Sequence, residues 1–90
     1  MIYRTLGDTD LEFSAVTFGA WALGGWQWGG TQKNDPVKAI HAAWDHGVTS
    51  IDTAPIYGQG HSEKVVGEAI SDIPRDELQI LTKFGMRWDL

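Results

Sequence analysis

A parallel α/β fold, entered through a β-hairpin, is predicted for this chain of 90 residues. Three observations predict it. Short apolar runs alternate with stretches of helical period, which is the pattern of βαβ units. Those runs are nearly continuous in apolar residues, as strands buried on both faces require. Two of them end on charged residues, Asp52 and Lys83, at the sheet edge where such folds place their sites.

The elements follow in order. Residues 2–6 and 11–13 read as paired strands, with Gly7, Asp8, Thr9 and Asp10 as the turn between them. Residues 15–19 read as a short buried strand. The stretch 19–33 holds five glycines and three tryptophans, Trp21, Trp26 and Trp28. Loops of that length in a compact domain are mostly functional or mobile. Asn34 and Asp35 before Pro36 start a helix, an Asx cap followed by proline in the first turn. Val37, Ile40, Ala43 and Trp44 share one face, Gly47 ends the helix, and Trp44 is read as core packing.

A strand over 48–52 comes next. The second helix is expected over 63–71, capped by Ser62, with Val65, Val66, Ala69 and Ile70 as its apolar face. Gly67 weakens that helix, so close packing against a strand is the expected reason for it. Gly58 and Gly60 lack the spacing of a phosphate-binding loop and are read as turn formers. A charged connector, 74–77, leads to a strand over 78–83 and then to a loop carrying Trp88.

Composition excludes several classes. An apolar fraction of 42 % excludes disorder by composition. Seven basic against twelve acidic residues give a net charge of −5 with no basic cluster, which speaks against nucleic acid as a partner. The acidity is dispersed and reads as solubility. With no cysteine there are no disulfides or thiolate metal sites. His41, His46 and His61 match no common metal spacing, so no metal is expected; His41 and His46 are read as surface residues. The N-terminal residues lack the apolar core of a signal peptide, and no run approaches the ~18 apolar residues of a spanning helix. A soluble, cytoplasmic protein without a membrane partner is expected.

The chemistry concentrates at Asp52, Tyr57 and Lys83. Asp52 closes one strand, Tyr57 sits in the loop behind it, and Lys83 closes the next strand. On neighbouring parallel strands the three converge on one edge. Asp52 can hold Lys83 as an ion pair, and a cation beside a phenol favours its deprotonated form. A tyrosine tuned in this way serves as a general acid. The tryptophans Trp21, Trp26, Trp28 and Trp88 suit the wall of an apolar substrate pocket, or the anchoring of a loop.

With these residues in place, the sequence resembles the aldo-keto reductases. The likeness lies in Thr17-Phe18-Gly19, Gly47-Val48, Ile51-Asp52-Thr53-Ala54 followed by Tyr57-Gly58, Ser62-Glu63, Val66-Gly67 and Leu81-Thr82-Lys83. It runs through all 90 residues. The loop with Gly24-Gly25 and Trp28-Gly29-Gly30 looks most like the bacterial branch of general-stress and inositol-utilisation reductases. The resemblance implies a (β/α)8 TIM barrel of about 250 residues or more. Residues 1–90 would be its N-terminal, incomplete segment: the hairpin, three barrel strands and two helices. It implies NADPH-dependent interconversion of a small aldehyde or ketone and its alcohol, NADH not excluded. Tyr57 is then the proton donor, tuned by Lys83 and Asp52. Gly19, Ala20 and Trp21 approach the nicotinamide, and Asp52 can face its ribose. The family's catalytic histidine follows a fourth strand, and none of His41, His46 or His61 stands there. A cofactor-sensing regulatory subunit of the same fold is the alternative. By itself the 90-residue chain, with two open strand edges, is expected to self-associate or to take a non-native arrangement, and to lack turnover.

Overall fold

Three residues of alternating direction suffice for each strand, and the chain begins with two of them. Strand β1 (Tyr3–Thr5) pairs antiparallel with β2 (Glu12–Ser14), Arg4 opposite Phe13, in a computed structural model that describes residues 1–21 and 34–85. The turn is closed by Leu6 N–H to the Leu11 carbonyl at 2.9 Å, and by Thr9 N–H to the Leu6 carbonyl at 3.0 Å.

The rest of the described chain is a three-stranded parallel sheet backed by two helices. The strands are β3 (Thr17–Gly19), β4 (Ser50–Asp52) and β5 (Gln79–Leu81), in that spatial order. Helix α1 (Asn34–Asp45) lies between β3 and β4 in sequence, and α2 (His61–Ile70) between β4 and β5. Register places Phe18, Ile51 and Ile80 side by side across the sheet. Strand side chains alternate between faces, and this row points to the helices. There it packs with Ala20, Ile40, Val65, Val66 and Ala69 to form the core.

The opposite face differs from the expectation of strands buried on both sides. Thr17, Gly19 and Leu81 are exposed there. Among the described residues the helices cover one face only, and β3 and β5 each have a single neighbour. At the lower end the hairpin docks against the sheet through Ser14. Its hydroxyl accepts from the amides of Thr49 and Ser50 at 3.0 and 3.1 Å and donates to the Val16 carbonyl at 2.7 Å. The Tyr3 hydroxyl donates to the Gly47 carbonyl at 2.8 Å.

Gly47 ends α1 as expected, and the reason is visible. It has φ 91°, and its N–H and that of Val48 return to the carbonyls of Trp44 and Ala43. This is a Schellman close, which favours a residue without a Cβ. Four other expectations are corrected. Helix α2 starts at His61, capped by Gly60 in the left-handed region, so Ser62 is inside the helix and not its cap. Gly67 is exposed, and a Cβ there would meet nothing within 4 Å, so close packing does not explain it. His41 is no free surface residue. Its Nε2 donates to the Ala69 carbonyl at 2.7 Å, in the last turn of α2 where carbonyls lack intrahelical partners. Trp44 is half-buried and lies outside the central cluster, beside Tyr3, Glu12 and Thr49 at the hairpin end.

Candidate active site

The site lies at the C-terminal rim of the sheet, where Gly19, Asp52 and Leu81 stand in register. Beyond that row the ladder continues. Ala20 N–H donates to the Asp52 carbonyl at 2.8 Å, and Thr53 N–H to the Leu81 carbonyl at 2.8 Å. The ends of all three strands are thereby fixed against one another. After Ala54 the chain coils tightly. Tyr57 N–H reaches the Ala54 carbonyl at 3.2 Å and Gly60 N–H the Pro55 carbonyl at 2.8 Å. Gly58, Gln59 and Gly60 are consecutively left-handed, with φ of 63°, 54° and 95°. Glycine enters that region freely, so Gly58 and Gly60 are turn formers, as read from the sequence. The coil brings Tyr57 back over the rim.

Lys83, two residues beyond β5, reaches the same point. Its Nζ lies 3.1 Å from Asp52 Oδ1, 2.9 Å from the Thr53 carbonyl oxygen and 3.2 Å from the Tyr57 hydroxyl oxygen. An ammonium has three N–H groups and no lone pair, so all three are committed. It also stands 4.8 Å from the centre of the Tyr57 ring. Desolvation alone draws the Lys83 pKa down. Hydrogen bonds to Tyr57 and Asp52, with the charges of both, outweigh it and raise the pKa above the ordinary lysine value.

The ion pair is half open to water, 50 % exposed at Lys83 and 43 % at Asp52. Pairs so exposed contribute about 0–1 kcal/mol. Fold stability therefore does not account for the arrangement. Beside the triangle, Ala54, Pro55, Ile56, Lys83 and Phe84 line an apolar hollow. Thr82 Oγ1 donates to Glu63 Oε2 at 2.6 Å, tying the end of β5 to the first turn of α2.

The structure brings Asp52, Tyr57 and Lys83 together. Of the residues expected beside a nicotinamide, Gly19 and Trp21 are exposed, and a Cβ at Gly19 would enter open space. Ala20 is corrected. It is fully buried in the core, with its N–H and carbonyl both bonded, and offers no surface to a ligand. Trp26, Trp28 and Trp88 lie outside the described residues. Sequence reasoning missed Thr53, whose carbonyl holds Lys83, and Ser62, buried beneath it. The signal available for both was a small polar residue beside buried apolar ones. Among the described residues no group of His, Asp and Glu is placed to hold a metal, and no helix is long and apolar enough to cross a membrane.

Residues 15–89 match the model of the aldo/keto reductase family. Aldo-keto reductase YhdN of Bacillus subtilis is 45 % identical over 89 residues, covering 98 % of this chain and 27 % of the relative. An NADH-specific methylglyoxal reductase of Escherichia coli is 38 % identical over 86 residues, covering 93 % of this chain and 26 % of its own length. Among solved structures, a Klebsiella pneumoniae aldo-keto reductase in complex with NADPH superposes with a TM-score of 0.73. It is 35 % identical, and the match covers 93 % of this chain and 28 % of that one. The chain spans about a quarter of the length of these relatives. Its strands and helices are part of a TIM-barrel fold, and among the described residues no barrel closes. The chain belongs to the aldo/keto reductase family.

Proposed function

We propose that this segment, within a complete barrel, carries the proton-transfer machinery of an NADPH-dependent reductase. The reaction interconverts a small aldehyde or ketone and its alcohol, in the cytoplasm. One observation carries the reading: the Tyr57 oxygen accepts from Lys83, whose three N–H groups are all engaged. The phenol's own proton is then left to be donated.

In reduction, a nicotinamide cofactor held there would supply the hydride to the carbonyl carbon. Tyr57 gives its proton to the carbonyl oxygen as the C=O π bond becomes a C–H and an O–H bond. The phenolate left behind faces the Lys83 ammonium, which stabilises it. Asp52 holds that ammonium in place. In oxidation the same groups run in reverse, and the phenolate takes the alcohol proton. The exposed Gly19 and Trp21, with Asp52 alongside, are the surface on which the nicotinamide end of the cofactor is proposed to rest. Trp21, and with it Trp26, Trp28 and Trp88, are proposed for the substrate side.

NADPH is favoured by the Klebsiella complex, and the NADH-specific relative makes NADH the competing outcome. The 90 residues by themselves are proposed to be inactive and to self-associate, because among the described residues β3 and β5 each have one neighbour only. The test places these residues in a complete barrel, in exchange for the matching segment of the Bacillus subtilis relative. Carbonyl-dependent oxidation of NADPH is followed in that protein and in the 90-residue chain. Turnover in the first and none in the second is expected. Absence of turnover in a folded, cofactor-binding chimera would overturn the reading in favour of a sensing subunit.

A further inference from the structure

Ser62 takes no part in the proton transfer, yet it bonds to Tyr57, to Thr53 beside Asp52, and to Ala20 at the end of β3. Its hydroxyl lies 2.8 Å from the Ala20 carbonyl and 2.9 Å from Thr53 Oγ1, and its N–H donates to the Tyr57 carbonyl at 3.1 Å. A carbonyl only accepts. The single Ser62 proton therefore goes to Ala20, and Thr53 Oγ1 donates to Ser62. The chain of bonds Thr53–Ser62–Ala20 is sealed from water: Ser62 and Ala20 are 0 % exposed and Thr53 is 2 % exposed. At its upper end the Thr53 carbonyl receives Lys83 Nζ at 2.9 Å. At its lower end Ala20, through its N–H, holds the Asp52 carbonyl.

One buried serine thus links the tip of β3 and the tip of β4 through its hydroxyl, and the Tyr57 coil through its N–H. Helix capping does not explain it, since Gly60 is the cap and makes no side-chain bond. We propose that Ser62 is a positioning residue, whose hydroxyl orients the Thr53 peptide and so fixes the Lys83 ammonium against Tyr57 and Asp52. The consequence for turnover rests on Tyr57 being the proton donor; the consequence for Lys83 does not.

The test uses two variants, Ser62→Ala and Thr53→Val, and their combination. In the 90-residue chain the Lys83 ammonium is titrated by nitrogen-15 NMR. The midpoint is expected to fall toward the ordinary lysine value in each variant as the Thr53 carbonyl loses its orientation. In the chimeric barrel, kcat is expected to fall about tenfold with the carbonyl KM unchanged, the signature of an interaction that matters in the transition state. The double variant should be no worse than the poorer single one, because the two hydroxyls act as one unit. Should Ser62→Ala fail to fold, Thr53→Val, which keeps the side-chain shape, carries the test. A parent-like Lys83 midpoint in a folded variant overturns the proposal. A lowered midpoint with unchanged kcat supports the link to Lys83 and tells against Tyr57 as donor, which Tyr57→Phe then decides independently.

Discussion

The Lys83 ammonium stands 3.2 Å from the Tyr57 phenol oxygen and 4.8 Å from the centre of the same ring. The two contacts respond differently to substitution. Tyr57→Phe deletes the oxygen and keeps the ring. In the complete barrel it is expected to lower kcat by about 10²–10⁴, the usual contribution of a positioned acid. Cofactor binding, followed by quenching of tryptophan fluorescence, should stay close to the parent value. Near-parental turnover would remove Tyr57 from the role of donor.

Lys83→Met removes the cation and leaves Asp52 and Tyr57 without it. Because the Lys83 pKa is raised in the folded chain, its protonated form favours folding. That contribution is fully present below the unfolded lysine value of about 10.4 and is lost as pH rises through the higher folded value. Urea midpoints of parent and Lys83→Met should therefore differ at pH 7 and 9 and converge at the alkaline end. The difference is expected to be under about 1 kcal/mol, since the pair is half exposed. A gap that widens with alkaline pH would show the sign to be wrong.

Two glycines give opposite predictions. Gly67 is exposed within α2, with open space where a Cβ would be. Gly67→Ala should stabilise the chain by about 0.5–1 kcal/mol. Gly47 has φ 91°, and a Cβ there would lie 3.0 Å from the Tyr3 hydroxyl and 3.1 Å from Met1 Cβ. Gly47→Ala should destabilise. Denaturation midpoints check both signs. A loss of stability at Gly67 would point to a surface that covers α2.

The 90-residue chain has β3 and β5 as sheet edges and leaves Thr17, Gly19 and Leu81 exposed on the uncovered face. Sedimentation velocity across a hundredfold concentration range should show concentration-dependent association. A monomer throughout would mean that the edges are protected in another way.

How much the sequence disclosed depended on the kind of signal. The helix starting at Asn34, the stop at Gly47 and the three apolar strands alternating with helices followed from periodicity and turn chemistry, which are local. The meeting of Asp52, Tyr57 and Lys83 also followed, because parallel strands bring like ends together. The role of Ser62 did not. A serine before Glu63 has the pattern of an N-cap, whereas the left-handed Gly60 is the cap and the helix starts at His61, one residue before Ser62. Ala20 and His41 were misplaced for a similar reason. Whether a residue next to a strand end or on a short helix is buried depends on partners distant in sequence, Ser62 and Ala69 in these two cases.

The coil between Asp52 and α2 has a bearing on how such a protein diversifies. Loops ordinarily accept insertions. Here the amides of Tyr57, Gln59, Gly60, His61 and Ser62 already close on carbonyls three to five residues back. One added residue lengthens the path by up to about 3.5 Å, as much as the whole reach from ammonium to phenol. The interval from carboxylate to tyrosine to helix is therefore constrained in length, and new specificities have to arise in other segments around the rim.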